Sequence, residues 1–336
     1  MPREHPEPMA VIGAGSWGTA LAIQLAREGH PTALWGRDPL RLQRMHAERR
    51  NSLYLPDAAF PDALRVVPNL RDALHGARDA LIAVPSHAFR ETLATIRGHL
   101  DADTRVAWAT KGFEAESGKL PHQVAREMLG ARPAAVLSGP TFAREVGAGL
   151  PTAMTIASHD ERFGMELANS LSGPSFRAYL QTDILGVEVG GAVKNVIAIG
   201  SGIADGLGFG ANTRVALITR GLAEMMRLGV KLGAQRETFM GLAGLGDLVL
   251  TCTDDQSRNR RFGIALGSGV AFREASLDIQ QVVEGLPAAR AVHAVCVRLG
   301  VDMPICAEVY RILYEGKAIR EAVQALMGRE VRSEAD

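Results

Sequence analysis

One lysine in this 336-residue chain sits where a charge is expensive. Glu188-Val189-Gly190-Gly191-Ala192-Val193-Lys194-Asn195-Val196-Ile197-Ala198 is an apolar, glycine- and alanine-rich run with helical spacing. An ammonium buried without a partner carries a heavy desolvation cost. Lys194 therefore either snorkels to water from a domain seam or is a desolvated acid–base group with a depressed pKa. Gly190 and Gly191, one turn earlier, strip side chains from the helix and let another group come close. Ala198, Ser201 and Asp205 share a face with Lys194. Asp247 ends the glycine-rich run Gly241-Leu242-Ala243-Gly244-Leu245-Gly246 and is a carboxylate suited to pair with a lysine. A second lysine, Lys111, lies in Thr110-Lys111-Gly112-Phe113-Glu114, just past a strand-like run. Ligands of open α/β sheets bind at the carboxyl ends of strands, so Lys111 is expected to face the ligand crevice. Taken alone, it reads as a surface lysine in a turn.

Two further segments offer polar groups. Ser138-Gly139-Pro140-Thr141-Phe142-Ala143 follows another strand-like run, and its glycine and helix-start amides suit an oxygen-rich ligand. Ser257-Arg258-Asn259, ahead of Arg260 and Arg261, supplies a fork of donors for a phosphate or for hydroxyls. A charge cluster is otherwise a solvated face, but this one directly follows the glycine-rich apolar run.

The element able to deliver a redox partner lies near the chain start. Gly13-Ala14-Gly15-Ser16-Trp17-Gly18 fits GxGxxG between an apolar strand and a helix, the context a dinucleotide fingerprint requires. Gly13 permits the tight turn, Gly15 admits the pyrophosphate to the backbone, and Gly18 lets the helix pack on the sheet. A nucleophile elbow exposing Ser16 is the competing reading, but such an elbow has glycine where Ala14 stands. The second strand ends Leu34-Trp35-Gly36-Arg37-Asp38. Arg37 falls where the 2′-phosphate of NADP sits, which favours NADP(H). Asp38 comes slightly late for the ribose 2′-hydroxyl, and NAD(H) stays open.

Short apolar runs alternate with helical patterns through the first half, so a mostly parallel sheet covered by helices is expected. Strands are predicted at 9–12, 32–35, 65–67, 80–84, 105–109, 134–137, 152–157 and 176–180. Helices are predicted at 40–50, 89–96, 120–129 and 162–171. Past residue 185 only long helical stretches follow, at 186–205, 212–228 and 288–299. The expected fold is α/β, with a Rossmann-like dinucleotide-binding domain at 1–185 and an all-helical substrate domain at 186–336. Lys plus Arg equals Asp plus Glu at 37 each, which excludes a wholesale nucleic-acid binder. Three cysteines without CxxC spacing read as reduced, cytosolic thiols. Nine scattered histidines without paired ligand spacing give no metal site. The polar, Pro-rich stretch 1–9 is unlike a secretory leader. Glycines and charges interrupt the longest apolar run, so no membrane span is expected.

These motifs together resemble the NAD-dependent glycerol-3-phosphate dehydrogenase family in its bacterial, NAD(P)-using members. The likeness is carried by GAGSWGTALA at 13–22, TKGFE at 110–114, SGPTFARE at 138–145 and EVGGAVKNVIAIGSG at 188–202. It continues through ALITRGLAEMMRLG at 216–229, TFMGLAGLGDLVLTCT at 238–253 and SRNRRFG at 257–263. The resemblance implies reduction of dihydroxyacetone phosphate to sn-glycerol 3-phosphate, feeding glycerophospholipid synthesis, in a cytoplasmic homodimer. It gives Lys194 the role of general acid/base. Lys111, Gly139, Thr141, Asp247, Ser257, Arg258 and Asn259 become substrate contacts, with Asn195 and Thr251 close by. Ser16, Trp17, Arg37, Ala143, Arg258, Val282 and Glu284 become cofactor contacts, beside Lys111 and the three glycines. On this reading Lys194 gives the proton, Asp247 orients it and Lys111 steadies the developing alkoxide. Two rivals differ in class: a dehydrogenase of 3-hydroxyisobutyrate or 6-phosphogluconate with the same architecture, and a non-catalytic dinucleotide sensor. The GLGDLVLTCT and SRNRR segments oppose the first. Lys194, Lys111 and Asp247 together oppose the second.

Overall fold

The computed structural model describes residues 6–279 and 282–330. Most of the Pro-rich start, residues 1–5, and the last six residues of the second expected domain lie outside the described residues. Ten strands form in chain order: β1 Met9–Ile12, β2 Thr32–Trp35, β3 Arg50–Asn51, β4 Leu55–Ala59 and β5 Leu64–Val66. Then come β6 Asp79–Ile82, β7 Arg105–Trp108, β8 Ala134–Ser138, β9 Thr152–Ser158 and β10 Phe176–Gln181. Eight of them make one sheet in the order β10-β9-β8-β7-β6-β1-β2-β5. All neighbours are parallel except β8 and β9, which pair antiparallel with Ala135 opposite Ser158. The central strands are apolar on both faces, as a sheet covered by helices on both sides requires. After Gln181 the described residues contain no strand.

Every strand expected for this sheet is present; β1 and β2 match at both ends, and the others differ by one or two residues at an end. The helix expected at 40–50 is corrected at its end. It spans Pro39–Glu48, Arg49 takes the left-handed conformation at φ 50°, and Arg50 begins a small hairpin with β4. The physical cause is Arg49 itself, whose guanidinium donates to the carbonyls of Phe60, Pro61 and Leu64. No alternation of apolar and polar residues announces that hairpin.

The helix Ile184–Gly206 organises the second half. Its length and composition alone would let it cross a membrane, but 89% of its apolar window is buried inside the protein. A helix apolar all round is buried in this way. The helix Arg258–Gly267 crosses it through paired glycines. A Cβ on Gly202 or Gly206 would lie 2.1 or 2.3 Å from the carbonyl oxygens of Arg260 and Ile264. One on Gly263 or Gly267 would meet Ile199 and Ile203 oxygens at 2.2 and 2.3 Å. This close crossing brings the Ser257–Asn259 segment beside the middle of the long helix, where Lys194 stands.

Candidate active site

A cleft of about 560 Å³ opens between the carboxyl ends of the central strands and the helical half. Lys194 reaches it from the long helix. The helix is apolar above and below, so the side chain cannot escape to bulk water, and the residue is 7% exposed. Its ammonium donates to Asp247 Oδ1 at 2.5 Å and to Thr251 Oγ1 at 3.0 Å. Lys111, three residues past the end of β7, donates to the other oxygen, Asp247 Oδ2, at 2.8 Å. One buried carboxylate thus bridges two lysines arriving from different halves of the chain.

The backbone around Asp247 explains the placement. Leu242–Gly246 is a π-helical turn leading straight into the helix Asp247–Thr253. Such turns aim side chains at functional sites. Gly190 and Gly191 do admit neighbours. A Cβ on Gly190 would meet the Ala243 carbonyl oxygen of the π turn at 2.5 Å, and one on Gly191 would meet the Lys111 stem at 3.3 Å.

Electrostatics follow from burial. Desolvation pulls the Lys194 ammonium down from its ordinary 10.5 to about 8, with Lys111 adding to the fall and Asp247 and Glu284 opposing it. Burial also pushes the Asp247 carboxyl upward, but the two lysines outweigh it and hold it below its usual range. The site therefore keeps Asp247 ionised while Lys194 titrates near neutrality, the condition for general acid–base exchange at ordinary pH.

A second polar chain flanks this centre. Asn259 Nδ2 donates to Asn195 Oδ1 at 2.9 Å, and Asn259 Oδ1 accepts from the Gly285 amide at 2.8 Å. Ser257 caps its helix by accepting from the Arg260 amide. Arg258 donates to the Val282 carbonyl at 3.0 Å. Thr141, Ala143 and Glu284 also line the cleft with Ser257, Arg258 and Asn259.

The sequence expectation that this cleft takes a dinucleotide passes a physical test at the Ser16–Arg27 helix. Gly15 caps that helix in extended backbone, without any side chain bonded to the first-turn amides. Space beside Gly15 is open, with no atom within 4 Å of a would-be Cβ. Gly13 holds φ +123°, and Gly18 lies against the Gly13 carbonyl so closely that any side chain would clash. Trp17 Nε1 is buried with no partner. Free helix-start amides, the open cradle and an unanswered indole donor fit an anionic pyrophosphate. Among the described residues no group of metal-ligating side chains occurs.

Ser16 and Trp17 line the cleft, whereas Gly13 and Gly18 pack against Ala83 and each other, and Gly15 leaves the space beside it open. Gly139 is not in the wall either. At φ +150°, a Cβ there would press on Met154 Cα at 3.0 Å, so the glycine answers to packing on β9. Arg37 is exposed past the end of β2, and Asp38 caps the next helix by accepting from the Arg41 amide at 3.1 Å. Val282 meets the site through its carbonyl only. Of the residues drawn onto the Lys194 face, Ser201 instead donates to the Cys252 carbonyl, and Asp205 pairs with Arg214 and Arg260. Tyr54, Arg144, Leu250 and Gln256 also line the cleft and escaped the sequence reading, and Arg261 joins them from the basic cluster that the sequence singles out. Leu250 and Arg144 were within reach, since one follows Asp247 by three residues on a helix and the other adjoins Ala143. Tyr54, in the unforeseen hairpin connection, gave no signal.

Comparison with known proteins agrees with this architecture. Residues 8–164 match the family described as NAD-dependent glycerol-3-phosphate dehydrogenase N-terminus, and residues 183–324 match its C-terminus. A glycerol-3-phosphate dehydrogenase [NAD(P)+] of Yersinia pestis (strain Pestoides F) is 58% identical over 332 residues, 98% of each chain. The crystal structure of glycerol-3-phosphate dehydrogenase from Coxiella burnetii is 49% identical, covers 96% of this chain and 99% of its own, and superposes with a TM-score of 0.94. The Saccharomyces cerevisiae enzyme is 27% identical with a TM-score of 0.84, over 97% of this chain and 100% of its own.

Proposed function

The chain belongs to the NAD-dependent glycerol-3-phosphate dehydrogenase family, and on that premise we propose that Lys194 is the proton donor of its reaction, held by Asp247 between two lysines. The protein is an NAD(P)-dependent oxidoreductase that reduces dihydroxyacetone phosphate to sn-glycerol 3-phosphate, the entry to glycerophospholipid synthesis. The observation that carries the mechanism is the Asp247 carboxylate bonded at once to Lys194 and Lys111 in the cleft wall.

When bound, the nicotinamide supplies the hydride. The chain does the rest. Protonated Lys194 gives a proton to the carbonyl oxygen as it becomes an alkoxide. Asp247 keeps the ammonium aimed and charged, and Thr251 fixes its second direction. Lys111 places a further positive charge at the developing oxyanion. Ser257, Arg258 and Asn259, with Thr141 and Asn195, receive the phosphate and hydroxyls of the substrate. The first-turn amides after Gly15, with Ser16, Trp17, Ala143, Arg258, Val282 and Glu284, hold the dinucleotide.

NADP(H) is the favoured nucleotide on this account. Arg37 is exposed where a 2′-phosphate arrives, while Asp38 already serves as a helix cap and pairs with Arg41. The chain divides at about residue 185, where the sheet's last strand gives way to the long helix. Three unpaired thiols favour a cytoplasmic setting. The family resemblance favours a homodimer.

Initial rates with dihydroxyacetone phosphate test the nucleotide assignment. NADPH is expected to give the higher kcat/KM, and Arg37→Ala to raise KM for NADPH while leaving NADH unchanged. Equal response of both nucleotides to Arg37→Ala would contradict it. In the oxidative direction, reduction of NADP+ by 3-hydroxyisobutyrate or 6-phosphogluconate faster than by sn-glycerol 3-phosphate would favour the rival substrates.

A further inference from the structure

We propose that Glu188 is a positioning residue for this reaction: from within the long helix it fixes the segment carrying Lys111, so that Lys111 and Lys194 share Asp247. Glu188 is 3% exposed, and both its oxygens are taken by groups from the sheet half. Oε1 accepts from Trp108 Nε1 at 2.8 Å and from the His122 amide at 2.9 Å, and Oε2 meets His122 Nδ1 at 2.5 Å.

The two donors are not arbitrary. Trp108 is the last residue of β7, and His122 lies in the first turn of the helix Pro121–Leu129. They bracket the connection that carries Lys111. Within that connection Phe113 and Leu120 are buried in the core of the helical half, in one cluster with Val189, Ala192 and Val193. The Lys111 stem then crosses the long helix at Gly191, one turn after Glu188. The segment is thus gripped at both ends by a carboxylate and in its middle by two apolar plugs, leaving Lys111 one path to Asp247.

A buried carboxylate is a poor choice if bulk stability were the only need. Apolar groups of the same volume often serve as well or better, whereas a buried charge demands a full set of donors in fixed directions. Burial lowers the basicity of His122, yet its bond to Glu188 outweighs this and raises it above the ordinary value overall, so the two side chains hold each other as a bonded pair. Direction is what such a pair supplies.

Glu188 does not contact Lys194. The charged groups acting on Lys194 are Asp247, Lys111 and Glu284, with the Thr251 hydroxyl bonded to it. The proposed route from Glu188 to the reaction therefore runs through Lys111. Loosening Lys111 removes a like charge, which raises the Lys194 pKa, and removes a cation from the oxyanion, which lowers turnover.

The inference rests on Lys194 as proton donor, and the experiment separates the two. Glu188→Gln is assayed for kcat and KM across pH beside Lys111→Met and Lys194→Met. For Glu188→Gln the expected result is a kcat lower by roughly 10- to 100-fold, the scale of an ångström misplacement, with NADPH affinity within about twofold of the parent. The alkaline limb of its pH profile moves to higher pH, as in Lys111→Met. Glu224→Gln, another buried carboxylate with no path to Lys111, is the control and leaves the limb in place. His122→Ala, a half-exposed site that removes only one donor, carries the test with the same signature if Glu188→Gln fails to fold. A folded Glu188→Gln with parental kcat and an unmoved limb, melting early or not, overturns the proposal. Parental turnover in Lys194→Met instead removes the underlying reading, whatever Glu188→Gln does.

Discussion

At Lys194 the chemistry is set by a contest between desolvation and charge. Burial lowers the ammonium to about 8, with Lys111 pushing further down and Asp247 pulling back. With Lys194 as the proposed proton donor, reduction needs the protonated form, so kcat/KM for dihydroxyacetone phosphate is expected to be flat below pH 8 and to fall above it. Oxidation of sn-glycerol 3-phosphate needs the free amine and is expected to fall below pH 8. Asp247→Asn removes a stabilising anion and shifts both limbs to lower pH, whereas Lys111→Met removes a like charge and shifts them to higher pH. Initial-rate profiles of the two variants check this, and shifts in the same direction would refute it. These residues were legible because a lone lysine in an apolar helix and an aspartate after a glycine run are conspicuous. Glu188 was not, since nothing in one sequence tells which strand end its carboxylate meets. Gly139 was legible as a special position but not for its reason, which is contact with β9.

Elements carry a separate ledger of buried charge. Glu224, on the helix Ala211–Leu232, accepts from the amides of Ile305 and Cys306 at the start of the helix Pro304–Tyr314. Burial pushes its carboxyl up from 4.5 to about 7, outweighing those two bonds. A carboxyl raised in the folded state binds more protons there than in the unfolded chain between those values. Its contribution to stability therefore falls as pH rises through that window. Thermal melts of the parent and Glu224→Gln are expected to diverge between pH 4.5 and 7, the parent losing more with rising pH. Parallel melting curves would contradict the assignment. At this scale the sheet was readable from its apolar runs, because strands buried on both faces leave continuous signals. The hairpin of β3 and β4 was hidden, since Arg49 creates it by long-range bonds to carbonyls. The π turn before Asp247 looked like glycine punctuation, and close packing against Gly190 and Phe239 gives it a shape.

For the whole molecule the division of labour is spatial. The sheet half offers a helix-start cradle and Lys111, the helical half offers Lys194, Asp247 and the Ser257–Asn259 segment, and the cleft is where they meet. Nucleotide binding and proton transfer should then be separable. A single-turnover experiment tests this most directly: enzyme saturated with NADPH is mixed with dihydroxyacetone phosphate, and nucleotide oxidation is followed in the parent and in Lys194→Met. With Lys194 as proton donor, NADPH affinity is expected to be unchanged and oxidation slowed by roughly two to four orders of magnitude. Oxidation at the parental rate in Lys194→Met would contradict it.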